Sequence, residues 1–478
     1  MRAALSTLVD MRRNPTSPSR LAAPLLLSAL LLLLPACTSA EEPGGGEEAT
    51  TSGATANPET PSHGPGSGPW EIDDATWSAA QEAVEGMTVE EKAGQVMVAT
   101  FDGSDAAAVD AQIDQIQRLH LGGVIVMGRN VPTAGGAGQT QEDSPLGGAQ
   151  DVDVAAMTQQ NQAMQEALSQ VHEDQDWPGI VSVDQEGGTV TRLGSPLTEW
   201  PMTSQIGAAD DPGLTREAAA GLASELAGVG FTMNNAPIAD VTTPGDAVIL
   251  DRSYGEDPER VSQQVVASVE GHSDAGLVSS AKHFPGHGSV TTDSHVGLPL
   301  QELSIDQLRE SDWVPFQSAV DAGIPTVMMG HIAVAEWNPE VPATLEPQAY
   351  EALRTDLGFD GVIVTDALDM GALAGVVGPG LPVDTGVTTP AGAALQAGAD
   401  LLLMPGDDEA AHADIVQAVG SGAIPEQRLD DAATRVVALQ MIQAGAAADA
   451  EVPASQPGSH QDVVDRIVEE AGTAAGSQ

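Results

Sequence analysis

Apolar runs that alternate with helical stretches constrain this chain more than any other feature of its sequence. Eight short runs are apolar almost throughout: residues 95–101, 123–127, 179–184, 236–241, 277–283, 326–330, 361–366 and 400–404. Strands buried on both faces of a parallel sheet have this composition. Segments of helical period lie between them, for example residues 152–171, 215–228, 258–275 and 305–322. We therefore predict an α/β fold, a single (β/α)8 barrel of the TIM type, with a doubly wound open sheet as the alternative.

Polar side chains gather where these predicted strands end. They are Asp184, Asp240, Lys282 with His283, His331 and Asp366, at the third to seventh runs. Active sites of (β/α)8 barrels lie at the carboxyl ends of the strands, and an open sheet also places its site there. The sequence therefore predicts a site at this edge for either topology.

The N-terminal residues are typical of an export signal. Arginines precede an apolar run, residues 21–34, that is too short for an ordinary membrane-spanning helix. The run ends in Leu34-Pro-Ala-Cys37, which resembles a bacterial lipoprotein signal; the alternative is a plain secretory signal with an incidental cysteine. Because Cys37 is the only cysteine, an intrachain disulfide is excluded. We expect a signal peptide over residues 1–36 and an extracytoplasmic protein anchored to the cell membrane by lipid on Cys37.

Composition divides the rest of the chain. Residues 37–69 are rich in Gly, Pro, Ser, Thr and Glu, which predicts a disordered tether. Residues 70–444 carry the strand and helix pattern of one folded domain. Residues 445–478 are predicted to form an acidic low-complexity tail with one short helix around residues 462–470.

The charge excludes one class of partner. The formal net charge is −52, from 69 acidic and 17 basic residues. Nucleic acid phosphates would be repelled, so no nucleic acid partner is expected. A heavily hydrated surface, suited to salt or to an anionic envelope, is the simplest explanation of the excess.

Asp366 is the first candidate for chemistry. It ends the run Gly361-Val-Ile-Val-Thr-Asp366, where a buried strand should emerge. A carboxylate there can attack an electrophilic carbon and form a covalent intermediate. The alternative is a helix N-cap, a role that Asp369 suits as well.

The stretch from Lys282 to His295 concentrates titratable groups around a loop broken by Pro285, Gly286 and Gly288. His283, His287, Asp293 and His295 include the residue types that bind zinc, but the glycines argue against a rigid ligand-bearing helix. In the alternative that we prefer, Asp293 orients His295 as an acid–base catalyst. A purely structural histidine cluster is the third alternative.

Two further segments offer charged groups at the predicted rim. Asp184 and Arg192 flank a polar turn and could hydrogen-bond a hydroxyl-rich ligand, or form only a salt bridge. Arg252, in Asp251-Arg-Ser-Tyr-Gly255, is either part of a rim ion pair or a ligand clamp.

Together these motifs resemble glycoside hydrolase family 3, and within it the single-domain bacterial β-N-acetylglucosaminidases. The resemblance rests on Lys282-His-Phe-Pro-Gly-His-Gly288, Asp293-Ser-His295, Asp184-Gln-Glu-Gly-Gly188, Asp251-Arg-Ser-Tyr-Gly255 and residues 361–370, and it extends from about residue 77 to about residue 444.

The resemblance implies a role for each site residue. Asp366 would be the nucleophile of a retaining mechanism, and His295, assisted by Asp293, the acid/base. The terminal N-acetylglucosamine would be held by Asp184, Arg192, Arg252, Lys282 and His283. Thr189 and Ala367 depart from the family pattern, which commonly has arginine and aspartate there.

The resemblance also implies the substrate. Family members that act on β-glucosides usually carry an additional C-terminal α/β domain, for which few residues remain after Met404. We therefore expect exo-acting release of β-linked N-acetylglucosamine from peptidoglycan fragments or chito-oligosaccharides, by a monomer without metal or organic cofactor. The alternatives are a β-glucosidase-type hydrolase, a metal-dependent hydrolase and an inactive sugar-binding lipoprotein.

Overall fold

Eight short parallel strands organise the part of the chain that the computed structural model describes, residues 69–133, 149–172, 175–244 and 248–476. The strands are β1 Met97–Ala99, β2 Gly123–Val126, β3 Ile180–Val183, β4 Met233–Asn234, β5 Val278–Phe284, β6 Thr326–Met329, β7 Val362–Thr365 and β8 Leu402–Leu403. Each strand pairs in parallel with its neighbours, from β7 through β6 down to β1 and on to β8. A bridge between Val364 and Leu401 joins the two ends of this sheet. The predicted closed barrel is confirmed.

Alternate strand residues fill the barrel interior. In β7, Val362 and Val364 belong to an inner cluster. Each of the other seven strands also contributes to this cluster. Ile363, between them, packs in the larger outer cluster with the helices. This alternation follows from the period of two in a strand, and it explains why the strands are apolar on both faces.

Helices surround the strands. They are α1 Asp74–Glu85, α2 Val89–Gln95, α3 Ala106–Leu119, α4 Val154–Leu168, α5 Thr203–Ala209, α6 Pro212–Gly228, α7 Pro258–Asp274, α8 Ile305–Glu310, α9 Val314–Asp321, α10 Pro347–Glu351, α11 Pro390–Ala397, α12 Asp408–Ser421, α13 Glu426–Ala448 and α14 Gln461–Gly476. Several begin as their sequence dictates: α6 and α7 start with an Asp N-cap followed by proline, which supplies a side-chain acceptor and a preset φ.

The prediction of the fourth strand was wrong in position. The strand is Met233–Asn234, not residues 236–241. Pro237 has no N–H to donate to a regular ladder. The segment nevertheless runs beside β5, where Ala239 N donates to Lys282 O at 2.6 Å. It therefore still carries Asp240 to the edge of the barrel.

Two other boundaries differ from the prediction. The first strand starts at Met97 because α2, which begins with a capping box of Thr88 and Glu91, extends to Gln95. The predicted helix over residues 305–322 is two helices, α8 and α9. Pro315 in the first turn of α9 prevents a continuous helix.

The C-terminal helix α14 packs onto the barrel helices. Val463, Val464 and Ile467 are buried and belong to the main core. Glu225 of α6 accepts the backbone N–H groups of Gly458 and Ser459 at 2.7 and 3.2 Å. Within the described ranges, no helix combines the length and apolar character that crossing a membrane requires.

Candidate active site

A cavity of about 270 Å³ lies at the carboxyl ends of the strands. Its walls include seven of the side chains chosen from the sequence: Asp184, Arg192, Arg252, Lys282, His283, His295 and Asp366. Asp293 contacts His295 from outside this wall. Cys37, the expected lipidation site, lies outside the described residues.

Two hydrogen bonds position Asp366 at the end of β7. Its backbone N–H donates to Met329 O at 3.0 Å, and its Oδ1 accepts the N–H of Ala367 at 2.8 Å. Burial alone would raise the pKa of Asp366, but nearby His283 and His331 and the Ala367 N–H outweigh burial, so the pKa is lowered. The carboxylate is therefore kept ionised, as a nucleophile requires.

Two residues, His331 and Asp369, are not placed as the sequence predicted. His331, which follows β6, does not line the cavity; its Nε2 lies 2.8 Å from Ala367 O and its Nδ1 2.6 Å from Thr344 Oγ1. It thus stabilises the backbone directly after Asp366 from outside the cavity. Asp369 was expected to suit a helix cap, but the next turn, Gly371–Leu373, has no side-chain cap, and Asp369 lines the cavity instead.

His295 and Asp293 form the pair expected from the sequence. The His295 Nδ1 lies 2.8 Å from Asp293 Oδ1, which also accepts the backbone N–H of His295 at 2.9 Å. Burial opposes ionisation of Asp293, but the hydrogen bonds from His295 lower its pKa. Because Nδ1 is engaged by Asp293, the Nε2 of His295 remains for proton transfer.

The loop that carries His295 is fixed against the segment after Asp366. Ala372 N donates to Ser294 O at 3.0 Å. A Cβ added to Gly371 would lie 2.6 Å from His295 O, so only glycine allows this approach. The loop that carries His295 and the turn after Asp366 are therefore positioned by each other.

A buried network of charges forms one wall of the cavity. Lys282 Nζ lies 3.3 Å from Asp184 and 2.7 Å from Glu186. Arg192 contacts Asp184 at 3.1 Å, and Arg252 makes a bidentate pair with Glu186 at 2.9 Å for both bonds. The ion partner of Arg252 is thus Glu186 and not its sequence neighbour Asp251.

The network keeps its members charged despite their burial. Burial would raise the pKa of Asp184, but Lys282 and Arg192 hold it well below its usual value. Burial would likewise raise the pKa of Glu186, which Arg252 and Lys282 lower. Conversely, burial would lower the pKa of Lys282, but the two carboxylates raise it. Such fixed charges are strong hydrogen-bond partners for hydroxyl groups.

Asp240 holds two residues that line the cavity, His283 and His287. This buried carboxylate contacts His283 Nδ1 at 2.7 Å and accepts the backbone N–H of His287 at 2.7 Å. Burial would raise the pKa of Asp240, but the histidines lower it. The contact between Asp240 and His283 Nδ1 holds the His283 ring in one orientation. It thereby also sets the position of the His283 Nε2.

The histidines of the 282–295 stretch do not form a metal cluster. Among the described residues, His283, His287, Asp293 and His295 do not converge on one point. His283 is engaged by Asp240 and His295 by Asp293, which are different carboxylates. The metal alternative for this stretch is therefore not supported.

Sequence reasoning missed three functional neighbours. Glu186 stood in the polar turn after β3, but its pairing with Arg252 joins distant segments. Asp240 was noted only as a strand end. Arg129 lines the cavity after β2, where Met127-Gly-Arg-Asn130 follows an apolar run. A cation directly after a predicted strand was the signal that could have found it.

Comparison with known proteins assigns the chain to a family. The family model described as the glycosyl hydrolase family 3 N terminal domain matches residues 88–439. A β-hexosaminidase of Stenotrophomonas maltophilia (strain R551-3) is 37% identical over 246 residues, which cover 49% of this chain and 70% of that protein.

Solved structures give the same relationship. A family 3 β-N-acetylglucosaminidase from Paenibacillus sp. str. FPU-7 has 34% identity and a TM-score of 0.69, covering 80% of this chain and 69% of that one. A β-N-acetylhexosaminidase from Beutenbergia cavernae DSM 12333 has 26% identity and a TM-score of 0.60, covering 74% and 99%.

Proposed function

Because the chain belongs to glycoside hydrolase family 3 and is therefore a glycosidase, we propose that it is a retaining exo-β-N-acetylglucosaminidase. The observation that carries the proposal is the placement of ionised Asp366 and of the His295–Asp293 pair around one cavity. The names of the related β-hexosaminidase and β-N-acetylglucosaminidase support the choice of sugar.

The proposed reaction has two steps. First, an Asp366 carboxylate oxygen bonds to the anomeric carbon while the bond to the leaving oxygen breaks, and protonated His295 donates its Nε2 proton to that oxygen. Second, His295 takes a proton from water as the water oxygen bonds to the anomeric carbon and displaces Asp366. Two displacements at one carbon retain its configuration.

Asp293 would stabilise the positive imidazole that exists before the first step and forms again in the second. Its carboxylate accepts the Nδ1–H of His295, so the ring can hold a proton on each nitrogen before the first transfer. Most glycosidases use a second carboxylate as acid/base. Here the carboxylate would act through the histidine.

The cavity favours one terminal sugar. Its volume of about 270 Å³ lies below the range of roughly 300–1,000 Å³ found for sites of drug-sized ligands. The charged wall of Asp184, Arg192 and Lys282 would hold the hydroxyl groups of that sugar. We propose peptidoglycan fragments or chito-oligosaccharides as the sources of the terminal N-acetylglucosamine.

The test is a panel of nitrophenyl glycosides with the full chain. We expect cleavage of the β-N-acetylglucosaminide and weak cleavage of the β-glucoside; the reverse order would contradict the substrate proposal. Asp366→Ala should lose turnover by several orders of magnitude and keep its circular dichroism spectrum. Asp306→Asn, at an exposed position on α8, removes the same charge as a matched control. If Asp366→Ala were as active as Asp306→Asn, the assignment of Asp366 as the nucleophile would be contradicted.

We also propose that Cys37 carries a lipid that holds the protein at the outer face of the cell membrane. The short apolar run and the Leu34-Pro-Ala-Cys37 sequence support this location. Labelling with a radioactive fatty acid should mark the protein in membranes and should be lost in Cys37→Ser. Equal labelling of both would contradict the proposal.

A further inference from the structure

Three potential metal ligands meet at the end of the barrel opposite the cavity. Glu91 lies in the first turn of α2, His120 is the C-cap of α3, and His172 follows α4. His120 and His172 stand in the segments that lead into β2 and β3, at the amino ends of those strands. One ligand atom of each residue lies within 4.8 Å of the other two.

The hydrogen bond of His120 determines which nitrogen is available. Its Nδ1 lies 2.9 Å from the backbone oxygen of Val171. A carbonyl oxygen only accepts, so Nδ1 carries the hydrogen and donates. In the neutral ring, Nε2 therefore carries a free electron pair, which is the form that binds a metal.

A chain of amide hydrogen bonds determines which ring nitrogen of His172 is available. Gln440 Nε2 donates to Gly122 O at 2.9 Å, Gln95 Nε2 donates to Gln440 Oε1 at 2.7 Å, and His172 Nε2 lies 2.9 Å from Gln95 Oε1. The backbone carbonyl fixes the orientation of both amides, so His172 Nε2 must be the donor. The electron pair of His172 is therefore on Nδ1.

The Nδ1 of His172 has no hydrogen-bond partner among the described residues. His172 is only 9% exposed, so this nitrogen is also shielded from solvent. A buried nitrogen electron pair without a donor is costly, which points to a ligand.

Glu91 completes the set with an oriented carboxylate. Its Oε2 accepts the backbone N–H of Thr88 at 2.7 Å in the capping box of α2. The other oxygen is left for a ligand. Each of the three side chains is thus held by a hydrogen bond on one atom and offers another, the arrangement that orients ligands in metal sites.

We propose that Glu91, His120 and His172 bind a divalent transition metal, with zinc the best match, and that this ion stabilises the barrel. Two neutral imidazoles and a carboxylate suit zinc, and water would complete the tetrahedron. Bonds of about 2.0–2.2 Å place neighbouring ligands roughly 3.4 Å apart, so side-chain movements of about 1 Å close the site. The ion would tie α2 to the segments that enter β2 and β3.

The first test is zinc content and stability of the full chain. After exposure to zinc and exchange into metal-free buffer, we expect one zinc per chain by elemental analysis. Zinc at about 100 times its dissociation constant should raise Tm by about 3–5 °C. Absence of bound zinc, or no rise in Tm, would overturn the proposal.

Two variants separate metal binding from folding. Glu91→Gln keeps a capping box, because glutamine also accepts from the N-cap, but it loses the ligand charge. His120→Asn keeps a residue that tolerates the positive φ of 55° at this C-cap. Both should fold, lose the zinc and lose the zinc-dependent rise in Tm.

The neighbouring Glu90→Gln provides a matched control. It removes the same charge one residue away, at an exposed position. It should bind zinc like the wild-type protein, and so should retain the rise in Tm. Zinc bound equally by Glu90→Gln and Glu91→Gln would show that the ion sits elsewhere and would overturn the assignment.

Discussion

His287 joins the two functional parts of the 282–295 stretch. Its backbone N–H donates to Asp240, and its Nε2 lies 3.2 Å from Ser294 Oγ. Its ring meets the edge of His283 at 5.8 Å. The sequence suggested no role for this residue other than that of a possible zinc ligand. Its contacts indicate a positioning role, because they connect Asp240 and His283 to the loop of His295.

Loss of the His287–Ser294 contact should slow the reaction. His287→Phe keeps an aromatic ring beside His283 but removes the hydrogen bond. Ser294→Ala removes the same bond from the other side. A bond worth about 1.4 kcal/mol in the transition state corresponds to a roughly tenfold fall in kcat. KM should change little, since His283 and Asp240 keep their contact.

A double-mutant cycle on kcat checks this role. If both substitutions act through the one bond, the double variant should be no slower than the slower single variant. Fully multiplicative losses would show that His287 and Ser294 act separately.

At the scale of elements, the approach of two loops sets the geometry of the site. The loop of His295 and the turn after Asp366 touch at Gly371, where a Cβ would lie 2.6 Å from His295 O. Loop–loop contact of this kind determines where His295 stands relative to Asp366 more than either strand does.

Gly371→Ala should therefore displace His295 and lower kcat by tenfold or more. Its thermal stability should fall only modestly, because both loops lie at the rim. Gly420→Ala is the matched control: its Cβ would meet nothing within 4 Å in α12, and alanine favours a helix. Steady-state kinetics of the two variants would contradict the account if Gly371→Ala kept the activity of Gly420→Ala.

The sequence predicts elements better than it predicts contacts between them. The strands around Val362–Thr365 and Val278–Phe284 could be recognised because buried parallel strands are apolar on both faces. Asp366, Lys282 and His283 could be placed at one edge because parallel strands all end there. The fourth strand was misplaced, since apolar residues continue beyond Pro237 in an irregular segment.

Contacts between distant segments escaped prediction for a physical reason. Glu186 pairs with Arg252 and Asp240 with His283 only after neighbouring strands are aligned in the barrel. The proposed zinc ligands lie in three separate elements, without the close spacing that marks a metal motif. Local sequence patterns do not indicate which distant residues will pair. They do indicate where the strands end.

At the scale of the whole molecule, buried histidines link stability to pH. His272, 2% exposed, lies with Nδ1 2.8 Å from Ser268 O and with Nε2 3.1 Å from Asn234 Nδ2. Burial lowers the pKa of His272 from 6.5 to about 4. The unfolded chain therefore takes up this proton at higher pH than the folded protein does.

Stability should consequently fall as the pH is lowered from about 6.5 to about 4. A displacement of the pKa from 6.5 to about 4 corresponds to a loss on the order of 3 kcal/mol for this residue. His272→Gln cannot titrate, so its free energy of unfolding in urea should depend less steeply on pH across this window. An unchanged slope in the variant would contradict the assignment to His272.

The two ends of the barrel have separate tasks in this account. The carboxyl end gathers Asp366, the His295–Asp293 pair and the charged wall, and the amino end would hold a stabilising ion. Removal of metal should therefore lower Tm without lowering kcat at a temperature where the protein stays folded.

Mass spectrometry of a trapped intermediate would test directly whether Asp366 is the nucleophile. An N-acetylglucosaminyl fluoride with a second fluorine on the ring should form the glycosyl-enzyme quickly, because fluoride leaves readily. Hydrolysis should be slow, because the ring fluorine destabilises positive charge in the transition state. We expect one fluorinated N-acetylglucosaminyl group on the peptide that contains Asp366. An adduct on another residue, or an unmodified protein that still turns the reagent over, would contradict this assignment.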